Sequence, residues 1–87
     1  MRIYKYEVDL TNPCTEMPQA AKILSCAYQG DNLMVWALVN EEAPLVTRDI
    51  VIYGTGHPVE EIYGFSFFIG TVFQGPFVWH LFDGGEI

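Results

Sequence analysis

Phe65-Ser66-Phe67-Phe68-Ile69-Gly70-Thr71-Val72-Phe73-Gln74-Gly75-Pro76-Phe77-Val78-Trp79-His80-Leu81-Phe82 is the stretch whose reading decides the fold. Phe67 to Phe73 and Phe77 to Phe82 are rich in aromatic and β-branched residues, which suit a pleated, half-buried surface. Gln74-Gly75-Pro76 between them supplies turn chemistry, and Pro76 can begin the second strand, where a missing N–H is tolerated. A helix would be interrupted by Gly70, Gly75 and Pro76. The stretch therefore reads as a β-hairpin around which the rest of the chain is arranged.

Working outward, Leu33 to Val39 is a second strand, apolar on both faces, which needs cover on both sides from the domain's own layers or from another subunit. Gln29-Gly30-Asp31-Asn32 is a turn signal that joins it to Lys22 to Gln29, with Leu24, Cys26 and Tyr28 on one side and Ser25, Ala27 and Gln29 on the other. A helix from Gln19 to Tyr28 competes there, because Ala20, Ala21 and Lys22 are good helix formers, and the following turn decides for strand. Arg2 to Leu10 alternates, with Tyr4, Tyr6, Val8 and Leu10 opposite Lys5, Glu7 and Asp9, as a half-exposed antiparallel strand does. Thr11-Asn12-Pro13 ends it, and Thr15 to Gln19 reads as an irregular or edge segment. Asn40 to Pro44 is an acidic loop, and Arg48 to Tyr53 is a further strand, Ile50 and Ile52 facing away from Val51 and Tyr53. The tail from Asp83 to Ile87 is expected to fray. The whole predicts a single all-β domain over residues 1–87, a small antiparallel barrel or sandwich of six to seven strands, with Lys22 to Val39 and Phe65 to Phe82 as hairpins in one sheet system.

Eighty-seven residues, 51% of them hydrophobic and 15% aromatic, supply more apolar surface than a thin core hides. A chain this short buries only roughly 60% of the surface that its unfolded form exposes. Leftover aromatic surface marks a ligand site or an oligomer interface, so a homo-oligomer is expected. The net charge is −7, and the four basic residues, Arg2, Lys5, Lys22 and Arg48, are scattered. Direct nucleic-acid binding needs clustered cations and is not expected. The acidity serves solubility or, on a sharper reading, lets the protein occupy a basic site on a partner. The longest apolar runs fall well short of the roughly 20 residues of a membrane-spanning helix, so no membrane partner is expected. No charged-then-apolar leader follows Met1, and Cys14 and Cys26 are the only cysteines, which leads to an expectation of a cytoplasmic protein with reduced thiols.

Gly54-Thr55-Gly56-His57-Pro58 is the best candidate site. Two glycines allow close backbone approach, and a hydroxyl and an imidazole project from a tight loop that could offer N–H donors to a polar ligand. Its structural alternative is a plain turn leaving a strand. Phe77 or Trp79 would add a stacking face and Arg48 a charge, while Trp36, Tyr53 and His80 could extend an aromatic pocket. No metal and no cofactor is expected, since His57, His80, Cys14, Cys26 and Asp83 show no zinc spacing. His80 reads as a residue hydrogen-bonded to backbone on the face opposite Trp79. Nucleophile–base pairs such as Cys26 with His57, or Thr55 with His80, need spatial adjacency. Glu41-Glu42 and Glu60-Glu61 read as solvated loop pairs.

With Tyr4-Lys5-Tyr6, Ala37-Leu38-Val39, Gly54-Thr55-Gly56-His57-Pro58, Gly70-Thr71-Val72 and Gly75-Pro76-Phe77-Val78-Trp79-His80, nearly the whole chain resembles a small family of unknown function found in phages and prophage-bearing bacteria. Only the segment Ile62 to Phe68 departs from it, being more aromatic. The resemblance implies a phage-type accessory protein acting in the host cell. Three functions follow as expectations. The first is a non-catalytic, homo-oligomeric binder that sequesters a small, nucleotide-like host ligand in a counter-defence role. The second is an acidic protein-interaction inhibitor of a host defence or nucleic-acid-processing enzyme. The third is a small hydrolase or metal-dependent enzyme.

Overall fold

A computed structural model describes residues 1–59 and 67–87. The fold is all-β. Among the described residues seven strands run in chain order, β1 Arg2–Glu7, β2 Thr15–Pro18, β3 Lys22–Gln29, β4 Asn32–Val39, β5 Leu45–Gly54, β6 Phe67–Gln74 and β7 Phe77–Glu86. They form two antiparallel sheets, ordered β1-β4-β3 and β2-β5-β7-β6.

The hairpin at the end of the chain is present, with Gln74 paired to Phe77 across a two-residue turn. Gly75 has φ +55°, a left-handed value open to glycine, and the Pro76 ring holds φ at about −65°, which together match a turn whose twist suits a hairpin. Gly30-Asp31 repeats the device between β3 and β4, with Gly30 at φ +60°.

The two hairpins do not share a sheet as expected. They belong to opposite layers, and β3 lies beside β6 without a ladder between them. The approach is so close that a Cβ on Gly70 would stand 2.8 Å from Cys26 Sγ. The molecule is thus a sandwich drawn together along one seam. Leu33, Val35, Ala37 and Val39 of β4 project inward to meet Met17, Ile50, Val72 and Leu81 from the other sheet.

Three further expectations are corrected. A bulge between Ile23 and Ser25 inserts Leu24, so Ile23 joins Cys26 and Tyr28 against the core while Leu24 is left exposed. β1 ends at Glu7, because the chain turns at Asp9 to Asn12: Asn12 N donates to Asp9 O, and Thr11 N and Oγ1 both donate to Asp9 Oδ1. The two bonds from Thr11, that of its N–H first, hold the Asp9 carboxyl below its usual range. The tail does not fray, since β7 runs to Glu86, Arg48 pairs with Glu86, and Ile87 N donates to Thr47 O at 2.9 Å. Thr15 to Pro18 is an edge strand beside β5, within the alternatives read for it. The expectations for Glu60-Glu61, Ile62 to Gly64 and Phe65-Ser66 lie outside the described residues.

Ala20 is the one described non-glycine residue at positive φ, +63°. It sits third in the turn Pro18 to Ala21, closed by Ala21 N donating to Pro18 O at 3.2 Å, a position that favours glycine. Ala20→Gly is expected to raise stability by about 0.5–1 kcal/mol, moving the thermal midpoint up by about 2–8 °C in a domain of this size. Calorimetry checks this, and a lower midpoint would show that the turn is not strained.

Candidate functional site

β5 ends at Gly54, and the chain reverses over the next three residues. His57 N donates to Gly54 O at 3.1 Å, and Gly56 at φ +85° takes the position where this turn needs a left-handed residue. Thr55 N donates to Val78 O at 3.2 Å and so prolongs the ladder with β7. The loop is a turn leaving a strand, and two of its N–H donors are spent on the fold. The loop is no ready cradle for an anion.

It still builds a notch. The His57 ring lies so close over Gly54 that an added Cβ would meet Cε1 at 2.7 Å and Nδ1 at 2.8 Å, with Trp79 Cζ3 at 3.2 Å. Gly54 is thus the backbone gap into which imidazole and indole both fit. Trp79 and Phe77, two apart on β7 and so on one face, stack with centroids 5.7 Å apart and planes 16° from parallel. Trp79 Nε1 donates to Gln74 Oε1 at 3.1 Å, which fixes the indole. An open cavity of about 220 Å³ results, lined by Gly54, Thr55, His57, Phe77 and Trp79 with Pro76 and Val78.

Five of the seven residues expected at the site therefore converge. Gly56 shapes the turn without lining the cavity. Arg48 is elsewhere: six residues back along β5, about 20 Å away at strand rise, it is 5% exposed and bonded to Asp83 Oδ2 at 2.8 Å and Ala21 O at 2.7 Å. It supplies no charge to the notch. Arg2 is paired with Glu41.

The wider aromatic pocket divides. Tyr53 and His80 are on the outward face of their sheet and Trp36 is in the other sheet, apart from Phe77 and Trp79. His80 does face away from Trp79, but it is held by hydroxyls where backbone was expected. Nε2 lies 2.7 Å from Thr55 Oγ1, and Nδ1 lies 3.1 Å from Thr71 Oγ1. The pair Thr55 with His80 is thus brought together. Cys26 with His57 is not: Cys26 lines the seam beside Thr71 to Phe73, and burial pushes its thiol up. Thr71 and Gln74 were missed by sequence reasoning, although the hairpin register that puts Thr71 opposite His80 could have found the first. Among the described residues no group of three His, Cys, Asp or Glu side chains is placed to hold a metal, and no helix is long and apolar enough to cross a membrane.

A family model described as Domain of unknown function (DUF7352) matches residues 1–86. No curated protein and no solved structure matches the chain.

Proposed function

We propose, on the premise that the chain belongs to the DUF7352 family, whose description assigns no activity, that the protein is a non-catalytic binder of a small flat ligand. The convergence of Trp79, Phe77, His57 and Thr55 on one open notch carries this reading. At about 220 Å³ the notch is smaller than drug-sized pockets of roughly 300–1,000 Å³, so it suits a single ring system. Stacking on an aromatic face contributes about 1–3 kcal/mol per base. The ring of a nucleotide-like ligand is what such a notch would hold, and its phosphate would be left toward solvent, since Arg48 is buried elsewhere and Thr55 N and His57 N are spent. Sequestering a host signal from a homo-oligomer, as a phage protein opposing host defence would, is the purpose we attach to this site, and it rests on the sequence resemblance.

One observation favours a second reading, a small hydrolase. Thr55 borders the notch, and its hydroxyl lies within hydrogen-bond reach of His80, which Thr71 orients in turn. The orienting group is a neutral hydroxyl, which stabilises an imidazolium less than a carboxylate does, and this places the hydrolase second.

Native mass spectrometry of the protein after incubation with cell extract tests both. A retained small molecule is expected to be lost in Phe77→Ala and in His57→Ala, with the far-ultraviolet circular dichroism unchanged. Phe77 is 56% exposed, so its loss does not threaten the core. Retention by both variants would place the site elsewhere. Release of a cleaved product by the wild type and not by His80→Gln would establish the hydrolase.

A further inference from the structure

In a two-layer sandwich the outward face of each sheet ordinarily alternates to polar residues. β4 does not follow this. Val35, Ala37 and Val39 point inward at 0% exposure, and the residues that alternate with them are Met34, Trp36 and Leu38. No described strand packs on the outer side of the β1-β4-β3 sheet. Trp36 is at the centre of that face, opposite Lys5 on one side and Ser25 on the other. Ile3 and Lys22 flank Leu38 in the next row, and Glu7 flanks Met34 in the row behind. Ile3 is 59% exposed. Lys5 bonds to Gln29 Oε1 at 2.9 Å, and by register its stem crosses the Met34 row, which explains how an outward methionine is only 8% exposed.

Lys5 is engaged with Gln29, and the two other charges on this face are arranged for self-recognition. Lys22, on β3, and Glu7, on β1, occupy diagonally opposite corners, with Trp36 between them. A twofold axis along the other diagonal lays Lys22 over Glu7 of a second copy, and Glu7 over that copy's Lys22. The same axis sets Trp36 against Trp36 and Ile3 against Ile3. The strands of the two copies then cross at nearly a right angle, one of the two ways in which sheets pack face to face. Each patch meets itself, as a closed dimer requires.

We infer that the outer face of the β1-β4-β3 sheet is a homodimer interface, its occupant a second copy of this chain packed orthogonally through Trp36 and the reciprocal Lys22–Glu7 pairs. Three strands about 4.8 Å apart and six residues of about 3.4 Å give a patch of roughly 15 by 20 Å. Two such patches cover at most about 600 Å² in all, below the roughly 1,200 Å² of a standard interface, so the dimer is a weak one that exchanges with monomer at high micromolar concentration. The assembly does not depend on the Trp79 notch.

Sedimentation equilibrium from about 1 µM to about 500 µM on the full chain tests it. The wild type is expected to move from monomer to dimer across that range. Lys22→Glu alone and Glu7→Lys alone each set like charges opposite one another twice, and each should weaken dimerisation about 100-fold. Both positions are exposed, so the fold should be intact by circular dichroism. An equimolar mixture of the two variants, and the double variant E7K/K22E, should regain dimer at close to wild-type strength. A wild type that stays monomeric, single variants that dimerise normally, or a mixture that stays monomeric would each overturn the inference.

Discussion

Asp83→Ala is expected to destabilise the protein by about 3–5 kcal/mol, the range seen when one partner of a buried ion pair is removed. Arg48 and Asp83 have side chains only 6% and 14% exposed, and they meet at 2.8 Å between neighbouring strands β5 and β7. Without the carboxylate, Arg48 would be left as a buried cation with one strong contact, the bond from Nη2 to Ala21 O, and with Nε unpartnered as it already is. The loss is large against a total of about 4–13 kcal/mol for a domain of this size, so part of the population should be unfolded at 37 °C. The effect comes from stranding a charge, so the double variant R48M/D83L should recover more than half of the lost stability. Urea midpoints for the three proteins check this. A loss below about 1 kcal/mol in Asp83→Ala would show that water reaches Arg48 and that the pair is not a strut.

Leu81→Ala should cost about 2–5 kcal/mol, through the lost transfer free energy of the side chain and the cavity left behind. Leu81 is 0% exposed at the middle of β7, opposite Ile52 on one side and Gly70 on the other. Gly70 has no side chain that could move in, and Ile52 is held in its own ladder, so the cavity should not collapse. Phe73→Ala removes a larger side chain from the same hairpin, yet Phe73 is 69% exposed and the cost should be within about 0.5 kcal/mol. Thermal melts of both variants test the contrast. Equal losses would mean that the outward face of the hairpin is as buried as the inward one.

That contrast also marks how far the sequence was legible. β-branched and aromatic runs broken by Gly30-Asp31 and Gly75-Pro76 state where strands begin and reverse, because turn sterics and pleat preferences act within a few residues. Strand type, hairpin turns and the alternation of Ile50 and Ile52 against Val51 and Tyr53 all follow from such local rules. So does the coming together of Gly54, Thr55 and His57, which are near neighbours in the chain.

What the sequence could not state was every choice that depends on a distant partner. The bulge at Leu24 shifts which residues of β3 face the core, and nothing in the alternation of Lys22 to Gln29 announces it. Arg48 looked free to serve a ligand until Asp83, 35 residues on, took its charge, and the tail looked free to fray until β5 gave it a ladder. The two hairpins looked like parts of one sheet, since their local patterns are alike. Composition and periodicity thus determined the all-β class, the strands and the main turns of this protein. Tertiary structure decided the division into two sheets, the placing of His80 between two threonine hydroxyls, and the burial of Leu81 where Phe73 of the same hairpin is left exposed. The physical reason is range: backbone sterics and side-chain period are set by adjacent residues, whereas burial and charge pairing are set by whichever remote segment the fold brings alongside.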